Sequence, residues 1–287
     1  VYYSTGGYSG VFEAIGEYYL PNLMYTTNSL LGGKPFKDPV ISSIVQDWPA
    51  LLAEIDATGL PEPFARWLEA VRAVTPGSLE KKAARLFDIS GSRVTVMPPD
   101  CRHVDYNIIP ITISDGCLYK CRFCRIKNKK PFRVRSRADI QAQIRRSAAL
   151  LGPDLVNYNA VFLGEHDALN APGDTIIEAI DLADQGLGLS QSHMRHPQVF
   201  LFGSVDALLG KEDDFFKKLG RTGMHTSINI GLESCDQATL DRIGKPLTQE
   251  KVIRAFHRAR QVNQAFDHVE ITGNFIMDQD LPQSHHT

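Results

Sequence analysis

Residues 107–124 read NIIPITISDGCLYKCRFC, a short apolar run followed closely by three cysteines. The run over 107–113 has the length and composition of a buried parallel strand. Cys117, Cys121 and Cys124 then follow with the spacing C-x3-C-x2-C. Three thiolates this close together can hold three irons of a [4Fe–4S] cluster and leave the fourth iron open for a ligand. The stretch therefore predicts a strand with a cluster site near its C-terminal end.

From residue 107 onward, strand-like runs alternate with amphipathic helical stretches. The predicted strands lie at 107–113, 159–163, 198–202, 225–231 and 268–276, and the predicted helices at 138–151, 174–187, 212–219 and 248–262. Such alternation indicates parallel βα units. Polar or glycine-rich residues follow each strand, which is where a βα barrel gathers its chemistry. We therefore predict an α/β fold built as a partial βα barrel.

The first hundred residues follow another pattern. Apolar residues between 41 and 88 recur at helical spacing, with separate helices predicted over 61–74 and from Ser78 to Phe87. Arg93–Met97 has the composition of a short strand. We therefore divide the chain into a mainly helical accessory region, 1–100, and a barrel core, 101–287.

Composition excludes several classes of protein. The chain has 287 residues, of which 43% are hydrophobic, and a formal net charge of −2. No apolar run approaches the roughly 18 residues that a membrane helix needs. The five cysteines, an odd number with three clustered, do not form a secreted disulfide framework. We expect a cytoplasmic, reducing environment and no membrane partner.

With Phe123 directly before the third cysteine, the motif resembles the signature of the radical S-adenosylmethionine (radical SAM) superfamily. Residues 107–280 resemble its core, a partial (β/α)6 barrel, in the form found in oxygen-independent coproporphyrinogen oxidases and tRNA methylthiotransferases. The resemblance implies that a cluster and SAM together generate a 5′-deoxyadenosyl radical, which removes hydrogen from a substrate. It also implies that Phe123 lies beside the cofactor, and it leads us to expect a sixth strand beyond Thr287.

The segment after the second strand resembles the Gly-Gly-Glu segment of this superfamily. It reads Leu163-Gly164-Glu165, with leucine in place of the first glycine. The resemblance implies that Gly164 lets the backbone approach SAM closely and that Glu165 accepts hydrogen bonds from the SAM ammonium. A solvated turn is the alternative interpretation of this segment.

Three other strand ends supply further candidates by the same resemblance. Glu233 is expected to contact the ribose or the amino group of SAM. Lys245, twelve residues later, falls where related enzymes carry an arginine that faces the SAM carboxylate, with Arg242 as a substitute if the register slips. The alternative for Lys245 is a solvated helix end. Ser204 and Asn274 are expected to contact the ribose, or in the case of Ser204 the amino group.

A basic run is the second clear feature of the sequence. Nine cations and no acid lie between residues 120 and 137, namely Lys120, Arg122, Arg125, Lys127, Lys129, Lys130, Arg133, Arg135 and Arg137. Such a run can hold RNA, a small polycarboxylate or the acidic surface of a partner, or it can be a solvated loop beside an anionic cofactor. The alternation of the last three arginines predicts that they share one face.

These observations leave three functional hypotheses. The first is a radical SAM enzyme that acts on an unidentified, anionic substrate and receives electrons from a donor such as ferredoxin or flavodoxin. The second is a radical SAM enzyme that modifies RNA held by the basic run. The third is a non-catalytic zinc or iron–sulfur module, in which Cys101 or His103 completes a zinc site, although structural zinc sites usually contain two C-x2-C pairs.

Overall fold

The computed structural model describes residues 2–4, 11–13, 39–75, 78, 81, 85, 88–91, 108–124, 131–194, 196–276 and 280–286. Two compact units share the chain: the first contains 1–86 and 96–106, and the second contains 87–95 and 107–287. The short strand predicted at Arg93–Met97 lies outside the described residues. The domain boundary near residue 100 stays a prediction.

In the first unit, β1 (Tyr2–Ser4) pairs antiparallel with β2 (Val11–Glu13), and two helices follow, α1 (Pro39–Glu54) and α2 (Glu62–Arg72). The helix predicted over 61–74 is confirmed as α2. Arg72, in the last turn of α2, donates from its guanidinium to the carbonyls of Leu52 (3.0 Å) and Ile55 (2.5 Å). Because the last carbonyls of a helix have no partner within it, this arginine caps the end of α1.

The second unit is an α/β fold, as predicted. Its strands are β3 (Ile108–Thr112), β4 (Ser114–Asp115), β5 (Arg133–Val134), β6 (Ala160–Gly164), β7 (Gln198–Gly203), β8 (His225–Glu233) and β9 (Val269–Phe275). Its helices are α3 (Arg137–Leu151), α4 (Gly173–Leu187), α5 (Val205–Leu209), α6 (Asp213–Arg221), α7 (Gln237–Ile243) and α8 (Gln249–Ala265). All five strands and four helices predicted from residue 107 onward are confirmed, whereas α5 and α7 were not predicted.

A five-stranded parallel sheet in the order β3-β6-β7-β8-β9 forms the centre of this unit. The sequential order follows from the βα units, because each helix returns the chain to the edge of the growing sheet. All five strand ends that carry chemistry therefore lie at one edge, the C-terminal mouth of the sheet.

The two faces of the sheet carry different side chains. On β8, Ile230 and Leu232 face the helices, where they line a cavity together with Phe256 of α8. The alternate residues point to the opposite side, which we call the inner face. Phe162 and Phe202 lie on that face with their ring centroids 5.2 Å apart in an edge-to-face contact. Aromatic residues on β6 and β7 therefore form part of the inner face.

Side-chain amides from neighbouring helices cover both outer strands of the sheet. Gln143 of α3 accepts from the backbone N–H of Thr112 (2.9 Å) and donates to its carbonyl (2.8 Å) on β3. Asn263 of α8 makes the same pair of bonds with Ile271 on β9, at 2.7 and 2.9 Å. These amides satisfy backbone groups that face away from the neighbouring strand, and so they fix the helices to the sheet.

Candidate cluster and cofactor site

The three cysteines lie on a loop that leaves β4 and returns through β5. These strands pair antiparallel and close the base of the loop. Arg135, of which only 8% of the side chain is exposed, binds both carboxylate oxygens of Asp115 at 2.7 and 3.2 Å and donates to the carbonyl of Ser90 at 2.6 Å. A bidentate arginine–carboxylate pair is among the most directional side-chain contacts. The neck of the cysteine loop is therefore rigidly held.

Carboxylates from the end of β6 hold the first half of the loop. The backbone N–H of Gly116 donates to Oε2 of Glu165 at 3.2 Å. The N–H of Leu118 donates to Oδ2 of Asp167, also at 3.2 Å. Asp167 is fully buried, and its other oxygen accepts from the N–H of Ser204 at 2.7 Å. Asp167 thus ties the cysteine loop to the ends of both β6 and β7.

The second half of the loop is held by the end of α7. The N–H of Arg122 donates to the carbonyl of Ile243 at 3.0 Å, and its guanidinium reaches the carbonyl of Asp241 at 2.5 Å. Gly244 follows the helix with a φ of +65°, and a Cβ there would lie 2.5 Å from Nε of Arg122. Glycine is therefore required at 244 both for its backbone conformation and for the approach of this arginine.

None of the three cysteines forms a disulfide, and Cys121 is buried while Cys117 and Cys124 are half-buried. Burial raises the pKa of Cys117 to about 11; a hydrogen bond from the N–H of Tyr119 (3.4 Å to Sγ) opposes this, and the neighbouring acidic groups add to it. Burial also raises the pKa of Cys121, while the charge of Lys245 opposes that rise. Without a bound cation these groups remain thiols, and iron binding would release their protons.

The donor set fits an iron–sulfur cluster. In the described part of the chain, no three His, Cys, Asp or Glu side chains are grouped as the ligands of a metal ion. A [4Fe–4S] cluster distributes its thiolates over separate irons, so its cysteines need not converge on one point. Three thiols on an anchored loop meet that requirement. Cys101 and His103, the candidate fourth ligands for zinc, lie outside the described residues.

An ion pair between a buried lysine and a partly buried glutamate lies beside the cysteine loop. Nζ of Lys245 is 3.1 Å from Oε1 of Glu233, and the side chains are 4% and 15% exposed. The interpretation of Lys245 as a solvated helix end is therefore wrong, because its ammonium is buried under the loop. Arg242, its possible substitute, is exposed.

The end of β8 is shaped around this pair. Glu233 has a φ of +67°, a conformation that residues other than glycine rarely adopt, and the pairing with β9 is irregular between Gly231 and Glu233. A Cβ on Gly231 would lie 2.6 Å from Oε1 of Glu233 and 3.1 Å from Nζ of Lys245. The glycine therefore makes room for the pair. Strained backbone at a buried charge is typical of functional sites.

The segment at 163–165 is not a solvated turn, because Glu165 is only 2% exposed. Its carboxylate faces the cysteine loop through Gly116, and Nε2 of His166 lies 3.4 Å from its other oxygen. A Cβ on Gly164 would make only ordinary contacts, the nearest 3.5 Å from Phe162. Protein packing therefore does not require glycine at 164, and close approach of a ligand there stays a prediction.

The remaining candidates occupy less specific positions. The hydroxyl of Ser204 accepts from the N–H of Ala207 at 3.2 Å and caps α5. The amide of Asn274 forms a reciprocal pair with Asn229 on the inner face, at 2.6 and 3.1 Å. Phe123 is 37% exposed. Their contacts with SAM stay predictions, and the reciprocal amide pair was not predicted.

Most of the basic-run side chains that the structure describes form contacts within the protein. Besides Arg122 and Arg135, Arg137 pairs with Glu178 of α4 at 2.5 Å. Arg133 contacts Asp115 at 3.4 Å but is 77% exposed. Arg133 and Arg135 both contact Asp115, as expected of residues that share a face, whereas Arg137 departs from that prediction because it reaches Glu178 on a neighbouring helix.

The second unit is a parallel α/β sheet with an anchored three-cysteine loop at its mouth, and the donors of that loop fit an iron–sulfur cluster. Residues 111–277 match the family model described as the radical SAM superfamily, which is more than half of the chain. The chain belongs to the radical SAM superfamily, and its second unit is the partial barrel of that family.

Curated relatives include the ribosomal protein uS12 methylthiotransferases RimO of two strains of Thermus thermophilus. Each is 32% identical to this chain over 165 residues, which cover 55% of this chain and 33% of the relative. The chain thus spans about a third of the length of the curated relatives it matches.

Solved structures that resemble the chain include the cobalamin-dependent S-adenosylmethionine radical enzyme OxsB with aqua-cobalamin bound. That match has a TM-score of 0.41 and 19% identity, and it covers 58% of this chain and 23% of the other. Methylornithine synthase (PylB) matches with a TM-score of 0.36 and 13% identity over 84% of this chain and 69% of its own.

Across the residues described above, no helix is long and apolar enough to cross a membrane.

Proposed function

We propose that this chain reductively cleaves S-adenosylmethionine at a [4Fe–4S] cluster held by Cys117, Cys121 and Cys124. When bound, the reduced cluster and SAM supply a 5′-deoxyadenosyl radical that takes hydrogen from the substrate. One observation carries the proposal beyond family membership: a buried, oppositely charged pair lies directly beside the cysteine loop. Such a pair matches the charges of the amino-acid end of SAM.

The charged residues at this site suit a zwitterionic ligand. In this structure Lys245 and Glu233 neutralise each other. We propose that the SAM carboxylate binds to Lys245, while Glu233 and Glu165 accept from the SAM ammonium or the ribose hydroxyls. Because each buried charge keeps an opposite partner after this exchange, neither is left uncompensated.

The loop anchors give the site its second property, which is fixed geometry. Glu165 and Asp167 bind the backbone on either side of Cys117, and the end of α7 binds it beside Cys121. Because hydrogen abstraction requires the reacting atoms to be held within contact distance, a rigid cysteine loop favours a productive geometry. The aromatic pair Phe162 and Phe202 forms an apolar part of the inner face.

The proposal is tested by anaerobic reconstitution with iron and sulfide, reduction with dithionite, addition of SAM and chromatography for 5′-deoxyadenosine. We expect product from the parent chain and none from Cys117→Ala, Cys121→Ala or Cys124→Ala. Cys235→Ala removes an exposed thiol outside the motif and is the matched control, which retains activity. A parent chain that binds no cluster and forms no product would overturn the proposal.

The relatives support a second candidate, a methylthiotransferase that acts on a ribosomal protein. Its support is the 32% identity with the two RimO proteins. Incubation of the reconstituted chain with dithionite, SAM, sulfide and uS12, followed by mass spectrometry, would detect replacement of one hydrogen by a methylthio group, with the sulfur from sulfide, the methyl group from one SAM and the hydrogen removed by the 5′-deoxyadenosyl group of a second SAM. An unmodified uS12 in the presence of 5′-deoxyadenosine would reject this substrate but keep the radical SAM activity.

We propose an anionic substrate, a cytoplasmic setting and an electron donor such as ferredoxin or flavodoxin. The RNA alternative depends on cations that are free to bind phosphate, and Arg122, Arg135 and Arg137 have partners within the protein. Among Arg133, Arg135 and Arg137, Arg133 is the most exposed, with 77% of its side chain accessible to solvent. RNA binding that weakens steeply with salt and with Arg133→Ala would favour that alternative.

A further inference from the structure

Tyr119 lies in the cysteine loop between Cys117 and Cys121, and its side chain has no role in the function proposed above. The residue is only 9% exposed. Its hydroxyl donates to Oδ2 of Asp206 at 2.5 Å and accepts from the backbone N–H of the same residue at 3.0 Å. One residue therefore occupies both the donor and an acceptor site of the hydroxyl. The ring is fixed from its outer end.

Asp206 is itself held firmly. It lies in the first turn of α5, which is capped by Ser204. Its other carboxylate oxygen forms an ion pair with Lys251 of α8. Burial works to raise the pKa of Asp206, but the contacts with Lys251 and Tyr119 prevail and lower it. The acceptor of the tyrosine hydroxyl thus stays ionised, and two helices fix its position.

The ring of Tyr119 faces the buried ion pair. Nζ of Lys245 lies 5.7 Å from the ring centroid, within the range of a cation–π interaction. Because the side chain of Lys245 is only 4% exposed, water screens this attraction little. Lys245 therefore has two partners, the carboxylate of Glu233 and the ring of Tyr119. The ring alone would keep its position if Glu233 turned toward a ligand.

We propose that Tyr119 is a positioning residue whose ring holds the ammonium of Lys245 toward the SAM carboxylate, while Asp206 fixes the ring through its hydroxyl. The inference rests on the proposed function, because it assigns Lys245 to SAM. The cysteine loop would then contribute to the SAM site through the side chain of Tyr119 as well as through the cluster. The ring and the hydroxyl have separate roles, which two substitutions distinguish.

The test measures SAM dissociation constants by equilibrium dialysis on anaerobically loaded protein, together with iron and sulfide per chain. Tyr119→Leu removes the ring and is expected to weaken SAM binding about 5- to 30-fold with unchanged iron content. Tyr119→Phe keeps the ring and is expected to stay within about threefold of the parent. Tyr119→Met, whose flexible side chain fills irregular space, repeats the ring removal with a different shape.

Each outcome decides the inference. Weaker SAM binding in the leucine and methionine variants, with rescue by phenylalanine and full iron content, supports it. Affinity within twofold of the parent in Tyr119→Leu overturns it, and so does an equal loss in Tyr119→Phe. Loss of the cluster in both ring-removal variants would assign the ring to loop folding instead. A parent chain that loads the cluster but binds no SAM would reject the proposed function itself.

Discussion

The two sides of strand β8 differ in what they hold. Ile228, Ile230 and Leu232 face the helices and are almost fully buried, as the core of a parallel sheet requires. Asn229 and Glu233, on the inner face, carry polar groups paired with other side chains. The same nine-residue strand thus supports the fold with one side and a ligand site with the other. Substitutions on the two sides should separate stability from SAM binding.

The largest effect is expected from Lys245→Met. Removing one partner of a buried pair leaves the Glu233 carboxylate uncompensated, which we expect to lower the free energy of unfolding by about 3–5 kcal/mol. SAM binding should also weaken, by roughly 100-fold, because the carboxylate of SAM loses its buried partner.

The double variant Lys245→Met/Glu233→Gln provides the control for that prediction. It removes both charges, so denaturant unfolding should show that most of the lost stability returns. SAM dissociation constants should stay as weak as in the single variant. Recovery of SAM binding together with stability would contradict the separation of the two sides.

On the helix side, Ile228→Ala should act on stability alone. The side chain is fully buried, and large-to-small substitutions in a core cost about 2–5 kcal/mol. Urea unfolding of the chain without a cluster measures this loss. We expect the SAM dissociation constant of the loaded variant to stay within about twofold of the parent. For comparison, a change of about 1.4 kcal/mol in the binding free energy changes that constant tenfold. A tenfold change would show that the two sides are coupled.

The pH dependence of stability should report Asp167. Burial raises the pKa of this carboxyl to about 6, against about 3.9 in an unfolded chain. The protonated form is thus favoured by folding, so its stabilising contribution is complete below about pH 4 and is lost as the pH rises through 6. The difference of about two pKa units corresponds to about 3 kcal/mol.

Asp167→Asn tests this assignment. Urea unfolding of the parent without a cluster should show a fall in stability between about pH 4 and 7 that the variant lacks. Parallel curves for the two proteins would assign the pH dependence to other groups.

A smaller effect is expected from Gly231→Ala. The added Cβ would lie 2.6 Å from Glu233 and must displace the ion pair. Overpacking of this kind costs about 1–3 kcal/mol, and we expect a loss of SAM affinity of about tenfold. Gly220→Ala in α6 is the matched control, because its Cβ would meet only an ordinary contact with His268 at 3.5 Å. Equal SAM affinity in both variants would argue against a role for the ion pair.

The regular elements of the fold could be predicted because the residues that they bury form recognisable apolar patterns along the sequence. The strand run before Cys117 is apolar and buried along its whole length, and the helix over 249–265 buries a set of apolar residues at helical spacing. Helices α5 and α7, with 5 and 7 residues, are too short to show that period. The two-residue strands β4 and β5 likewise leave no pattern, although they close the cysteine loop.

The site could be predicted only where its residues lie close together in the sequence. Cys117, Cys121 and Cys124 lie within eight positions of one another, so their chemistry is visible in the sequence. Tyr119 and Asp206 are separated by 87 positions and meet only because β3 and β7 end at the same mouth of the sheet. The burial of Lys245 also depends on the fold, since its neighbours in the sequence are those of an exposed helix end.

We propose above that the cysteine loop holds a cluster with an open iron that takes SAM. Electron paramagnetic resonance of the reconstituted, dithionite-reduced chain, recorded with and without SAM, tests it most directly. We predict a [4Fe–4S] signal that changes when SAM is added and that is absent from Cys121→Ala. A cluster signal that is identical with and without SAM, or no cluster signal at all, would contradict the assignment of this loop to a cluster that binds SAM.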